Sequence, residues 1–389
     1  MKKVLLLALI LLLVSMAFIG CGNDDDGTDE DENVGAVSDA DEEEAADDDE
    51  EAEADDEDEA EADDENEEMT EGSVALLGLG QKISIGRSRG ASDEETAQAQ
   101  ADVTMAAVGF DEDGKIVTVS IDVAQTRVAF DEDMQVTSDR DETVPTKKER
   151  GDDYGMLRVS EIEKEWYEQI AALEEWMIGK TVEEVMNLEV KVVDDAHQHV
   201  PDVPELESSV TITVESYLAA VEEAWENAVE ADGAETVGLG VKTKINRSRD
   251  ASDEEPAQAQ VDTYMSATAF DADGNVVTTI IDNAQVRIAY DEDGQVAADM
   301  DAELQTKKER GDDYGMLRVS EIEKEWYEQI DALEEWMAGQ SIEDIMNLNV
   351  KVVDDAHQHV PDVPELESSV TITVEGYLAV VEYASENAK

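Results

Sequence analysis

Thr146-Lys-Lys-Glu-Arg-Gly-Asp-Asp-Tyr-Gly-Met-Leu-Arg-Val-Ser-Glu-Ile-Glu-Lys-Glu-Trp-Tyr-Glu-Gln-Ile170 occurs twice in this chain, unchanged, the second time from Thr306 to Ile330. A second block, Lys191 to Glu215, returns verbatim as Lys351 to Glu375 and carries every histidine. Gly78-Leu79-Gly80 returns as Gly238-Leu239-Gly240, so the two copies align without a gap at an offset of 160 residues, Gly78–Asn227 on Gly238–Asn387. A period this long marks a duplicated domain, not a solenoid unit. The join, Glu230-Ala-Asp-Gly-Ala-Glu235, is short and polar, which predicts that the copies sit close together and pack on each other.

Within a copy the pattern reads strands first, then helices. Val117, Val119, Ile121 and Val123 alternate with Thr118, Ser120 and Asp122, the two-residue period of a half-buried strand. An upstream run through Val103, Met105 and Ala107, with Asp111-Glu-Asp-Gly114 between, makes a hairpin. Calcium-loop spacing fails there, because glycine falls at the fourth position and lysine at the fifth. A second turn, Asp291-Glu-Asp-Gly294, has Met134 in place of its glycine in the first copy, which predicts a looser or differently shaped turn. Ser160 with Glu163 reads as a capping box opening a helix through Trp166, Ile170, Leu173 and Met177. Thr181 with Glu184 opens a short second helix, Glu189 to Val193 reads as a strand, and a last helix carries Tyr217, Leu218, Val221 and Trp225. The expected fold class is α+β: two tandem copies of a small antiparallel sheet covered by helices, after a disordered acidic tether. The expected boundaries are a signal peptide over 1–20, the tether over 21–72, one repeat over 73–229 and the other over 230–389.

Charge bounds the partners. The net charge is -75, and some 30 of the 102 Asp and Glu lie between Asn23 and Glu71 with no Lys or Arg among them. That segment repels itself and reads as an extended tether. About -45 remains on the rest, so nucleic acid is excluded as an ordinary partner. A surface this acidic suits high salt or high pH, pointing to a halophilic or alkaliphilic source.

The one cysteine, Cys21, rules out an intrachain disulfide. It stands where the apolar run Val4 to Ile19 meets polar sequence, after Met1-Lys2-Lys3. Phe18-Ile19-Gly20-Cys21 resembles the bacterial lipoprotein signal, which implies a lipidated Cys21 and an extracytoplasmic protein anchored to the outer face of a membrane.

Three features could carry chemistry. Asp194-Asp-Ala-His197-Gln-His199, with its copy His357 and His359, could supply ligands to a divalent metal, or could be a solvated loop. Lys147, Lys148 and Arg150, copied as Lys307, Lys308 and Arg310, form a positive island beside Tyr154 and Tyr314, each tyrosine between two glycines. A cation beside an exposed ring suits an anionic aromatic ligand, while pairing with local acids and packing of the ring is the alternative. Arg150-Gly-Asp152, copied as Arg310-Gly-Asp312, matches a cell-adhesion tripeptide, and the surrounding block explains it more simply as a turn. No nucleophile elbow or phosphate-binding glycine loop is present, and this favours a binding or structural module over an enzyme with its own substrate.

The end of each repeat, Ser208-Ser-Val-Thr-Ile-Thr-Val-Glu-Ser-Tyr-Leu-Ala-Ala-Val-Glu-Glu-Ala224, resembles the C-terminal end of the FMN-binding domain. That family occurs in sodium-pumping NADH:quinone oxidoreductases, in related electron-transport complexes and in surface lipoproteins that pass electrons out of the cell. Its hallmark is Ser-Gly-Ala-Thr-x-Thr before an Ala-Ala-Val-rich helix, and the threonine closing Ser-Gly-Ala-Thr carries FMN through a phosphoester. Laid on without gaps, that threonine is Thr211, and Thr371 in the second copy; Ser209 stands where the family has glycine and Val210 where it has alanine. The resemblance implies FMN as cofactor, a redox or envelope protein as partner, and a place in extracellular electron transfer. A non-catalytic envelope module and a metal-binding lipoprotein are the readings it competes with.

Overall fold

The computed structural model describes residues 73–195, 197–355 and 357–389. The expected signal peptide, Cys21 and the expected tether lie outside the described residues. The first repeat begins with three long strands, β1 (Val74–Ser84), β2 (Gln98–Phe110) and β3 (Ile116–Ala129). It continues through α1 (Lys147–Arg150), two short 3-10 turns, α2 (Trp166–Met177), α3 (Val182–Met186), the two-residue strands β4 (Val190–Lys191) and β5 (Val200–Pro201), and α4 (Glu215–Glu226). After β6 (Val229–Ala234) the order repeats: β7 (Thr236–Lys244), β8 (Gln258–Phe270), β9 (Val276–Ala289), α5 (Lys307–Arg310), α6 (Trp326–Met337), α7 (Ile342–Met346), β10 (Val350–Lys351), β11 (Val360–Pro361) and α8 (Glu375–Glu386). The class is α+β, with antiparallel sheets throughout.

Each repeat folds its three strands as a meander, and helices cover one face. Phe110, Val119, Ile121 and Val123 point from the sheet into a core with Trp166, Ile170, Leu173, Val221 and Ala224. The Gly78-Leu79-Gly80 pattern explains how closely the helix approaches. A Cβ on Gly78 would lie 2.0 Å from the Ala224 carbonyl oxygen and one on Gly80 2.0 Å from that of Ala220, so α4 rests directly on the β1 backbone. Gly238 and Gly240 repeat the contact against Ala384 and Val380, at 1.8 and 1.7 Å.

The other face of each sheet is covered by the other repeat's sheet. Leu77, Leu79, Val103, Met105 and Ala107 pack with Leu239, Met265, Ala267, Ala269 and Ile280, and Ala99, Ala101, Val128 and Phe130 with Ala259, Val261, Ile288 and Tyr290. The result is four layers, helices outside and two sheets within, and the described residues form one compact unit. β3 is therefore buried on both faces: Ser120 and Asp122, expected on a solvent face, are 8% and 7% exposed. The repeats also interlock at their loops, where the Ala91 N–H donates to Gly294 O (2.9 Å) and the Ala251 N–H to Met134 O (3.0 Å).

The short polar join is itself a strand: Val229–Ala234 is β6, paired antiparallel with β1 in a sheet of order β3-β2-β1-β6. Two local expectations change. The box opening α2 is Glu165 with Glu168, because Glu163 takes a left-handed φ of 53° and cannot lie in a helix. Met134 takes φ 55° and makes the same Asp131 contacts that Gly294 makes with Asp291, so the two turns share one shape. Among the described residues no helix is long and apolar enough to cross a membrane.

Candidate functional site

Thr146 starts the cluster. Its hydroxyl accepts from the Glu149 N–H while the Glu149 carboxylate accepts from the Thr146 N–H (2.6 Å), closing a capping box around the single turn of α1. That turn sends two adjacent lysines in opposite directions. Lys148 reaches inward to Glu174 Oε1 (2.6 Å) and Ser120 Oγ (3.2 Å), and its N–H donates to the buried Asp122 (3.1 Å). Burial raises the Asp122 carboxyl above the usual range, with Thr146 and Lys148 opposing the shift.

Lys147 turns under the rings. Its ammonium lies 5.1 Å from the centroids of both Tyr154 and Trp166. Trp166 meets Tyr154 edge-on at 6.4 Å and Tyr217 at 6.1 Å, and its Nε1–H donates to Tyr217 Oη (2.9 Å). Burial pulls Lys147 down to about 8 and pushes Tyr217 up to about 12. The second repeat rebuilds the arrangement, with Lys307 at 5.3 and 5.2 Å from Tyr314 and Trp326, Trp326 bonded to Tyr377 (3.0 Å), and Lys307 drawn down to about 8 by burial.

Tyr154 is half-buried against this core, so the ring is not a free platform. Its phenol is raised chiefly by burial, against the field of Arg87, Arg127 and Arg150, with Asp102 reinforcing the burial. Arg127 holds Gln100 (2.9 Å), and Arg150 reaches Gln125 O (3.5 Å). None of Arg87, Arg127 and Arg150 forms an ion pair among the described residues, and the same holds for Arg247, Arg287 and Arg310. The island is thus larger than Lys147 and Arg150. Arg87 and Arg127 come from the β1–β2 loop and from β3, and the signal that could have found them is their recurrence as Arg247 and Arg287 in an acidic chain.

Thr211 sits in the turn before α4. Its N–H and Oγ1 lie 2.9 and 3.3 Å from Gln169 Oε1, and Thr371 repeats this on Gln329 at the same distances. Gln169 is fully buried, and its amide nitrogen faces Met156 Sδ (3.4 Å), two residues after Tyr154. Tyr154 and Thr211 therefore share the flank of α2, the first through Trp166 and the second through Gln169. Val210 is buried in the core, and Ser209 is not among the described non-glycine residues with positive φ, so this turn has no need of glycine.

The histidines lie in the loop framed by β4 and β5. His197 Nδ1 is 2.9 Å from Asp194, His199 Nδ1 is 3.4 Å from Glu215, and His357 Nδ1 is 2.8 Å from Asp354. The His199 carbonyl accepts from the Val214 N–H (2.9 Å), and the His359 carbonyl from that of Val374 (3.0 Å). Among the described residues no group of three or more His, Cys, Asp or Glu is placed to hold a metal ion. Comparison with family models, with curated proteins and with solved structures finds no match.

Proposed function

We propose that this chain is a non-catalytic binding protein, held to the outer face of a membrane by lipid on Cys21, whose two repeats each take an anionic aromatic ligand of the FMN type. The observation that carries this reading is the patch around Tyr154 and Tyr314: three arginines without ion-pair partners and a lysine seated on two rings, half-buried in the first repeat and buried in the second, in a chain of net charge -75. Unpaired guanidinium groups beside an aromatic edge are the natural counterpart of a phosphate on a ring system. Arg87, Arg127 and Arg150 would meet the phosphate. Lys147, lowered by burial and seated on two rings, would meet the ring system. The resemblance to the FMN-binding domain makes Thr211 and Thr371 the attachment points, and the shared flank of α2 supports this pairing. Bound flavin would supply the redox chemistry of an electron carrier, while the protein binds, orients and tunes it. The acidic segment before residue 73 would then act as the spacer between lipid and domain.

The test is an FMN titration of the full chain followed by flavin fluorescence. Arg127→Ala combined with Arg150→Ala should weaken the first-repeat site at least tenfold and leave the second-repeat site unchanged. Affinity untouched by this double variant, or no binding at all, overturns the reading. Intact mass of protein made in its native host tests attachment. One or two added FMN masses, lost in Thr211→Ala and Thr371→Ala, support the phosphoester, and colourless protein at its lipidated mass rejects it.

A further inference from the structure

The two repeats meet along a rim where the copies differ. A cavity of about 500 Å³ opens there, within the size range of small-molecule sites, and Leu79, Val229, Ile280 and Ala338 give it apolar walls. Asp331 and Glu334 of α6 line its polar end. Glu334 Oε1 accepts from the Ile281 N–H (2.6 Å) and from Lys308 Nζ (2.7 Å). Asp331 shares that same lysine, at 3.3 Å. Glu334 Oε2 has no hydrogen-bond partner among the described residues.

The first repeat shows what that oxygen lacks. Glu174, 160 residues earlier, takes the Ile121 N–H (2.7 Å) and Lys148 Nζ (2.6 Å) on Oε1, the same two contacts. Its Oε2 accepts from the ammonium of Lys389 at 2.8 Å. Lys389 occupies the backbone place that Val229 has in the other copy: Val229 pairs with Leu77 on β1, and Lys389 exchanges two hydrogen bonds with Val237 on β7. Ile178 stands where the cavity has Ala338, and Ala171 where it has Asp331. The second repeat has thus lost an ammonium and a bulky side chain from this place and gained a carboxylate.

We propose that the cavity is a binding site for a short alkylammonium, a primary amine on an apolar stem of about four carbons, with its ammonium on Glu334 Oε2 and Asp331 and its stem along Leu79, Val229 and Ile280. The ligand does in the second repeat what the Lys389 side chain does in the first. Burial pushes Glu334 up to about 7, Lys308 opposes the shift and Asp331 adds to it, so a second cation is favoured where one lysine faces two acids.

Calorimetric titration of the full chain with n-butylammonium chloride at pH 8 tests the site. One site per chain is expected, weakened at least tenfold by Glu334→Gln and within twofold of the parent in Glu174→Gln. Val229→Lys, which puts a lysine where the other copy has Lys389, should abolish binding and raise the Tm. Absence of binding to the parent chain overturns the proposal, as does binding that survives Val229→Lys. Displacement of the amine by an equal concentration of sodium chloride overturns it too, because the site would then take any monovalent cation.

Discussion

The flank of α2 and the rim between the repeats arise from one duplication but differ in how faithfully the copies match. On the flank, lysine, two tyrosines and tryptophan recur residue for residue, with Trp166 on Tyr217 at 2.9 Å and Trp326 on Tyr377 at 3.0 Å. On the rim, the Lys82–Glu223 ion pair (3.1 Å) becomes Lys242 over the Tyr383 ring (5.8 Å), and Glu174 with two lysines becomes Glu334 with one. The flank faces its own repeat's core, where the copies keep these four side chains but differ beside them: Tyr264 meets Tyr377 edge-on at 5.2 Å in the second repeat, and Thr104 stands in its place in the first. The rim faces the other repeat, and the side chain offered there is valine on β6 in one case and lysine at 389 in the other.

Substitutions can break or sharpen this contrast. Trp166→Ala and Trp326→Ala should each cost about 3–5 kcal/mol, because each removes a fully buried ring, its hydrogen bond and the support of a lysine. If the flanks are equivalent, urea unfolding will give two values within about 1 kcal/mol of each other. Next come Gly78→Ala and Gly240→Ala, each expected to cost about 3 kcal/mol by forcing a helix off its strand. A near-neutral result from the same unfolding experiment would show that α4 or α8 can shift outward.

The smallest effect is specific to the rim and depends on pH. Glu334 titrates near 7 in the folded chain against an ordinary value of 4.5, so the native state holds a proton that the unfolded state has lost between those values. The stability this group contributes is complete below pH 4.5 and is lost as pH rises through 7, by about 2–3 kcal/mol. Unfolding midpoints at pH 4.5 and 8, compared between the parent and Val229→Lys, isolate the effect, since the added ammonium should flatten the dependence. Equal slopes would mean that Glu334 is not the group responsible.

Much of the fold is legible in the sequence. The alternation through Val119, Ile121 and Val123 and the spacing of Trp166, Ile170, Leu173 and Met177 place β3 and α2, because large apolar side chains advertise their face. The sheet-on-sheet interior is not legible, because Ala99, Ala101, Ala107, Ala259, Ala267 and Ala269 are too small to announce burial and their partners lie far away in sequence. The misplaced cap has a local cause: Ser160 and Glu163 have the letters of a capping box, but the helix starts five residues later at Glu165, whose side chain also binds the Met156 and Leu157 N–H groups. At the candidate site, Lys147 and Tyr154 stand out because they are adjacent in a repeated block. Arg87 and Arg127 do not, since only the meander brings the β1–β2 loop and β3 to the same ring.

The strand at 229–234 also bears on how the molecule comes apart. It runs by sequence from the last residue of the first repeat, Val229, into the start of the second, and by hydrogen bonding it belongs to the sheet of the first. Neither repeat can melt without stripping a strand from the other or exposing a face lined with alanine and leucine. One cooperative body is therefore expected, with a single transition in scanning calorimetry; two separated transitions would show that one repeat survives loss of the other.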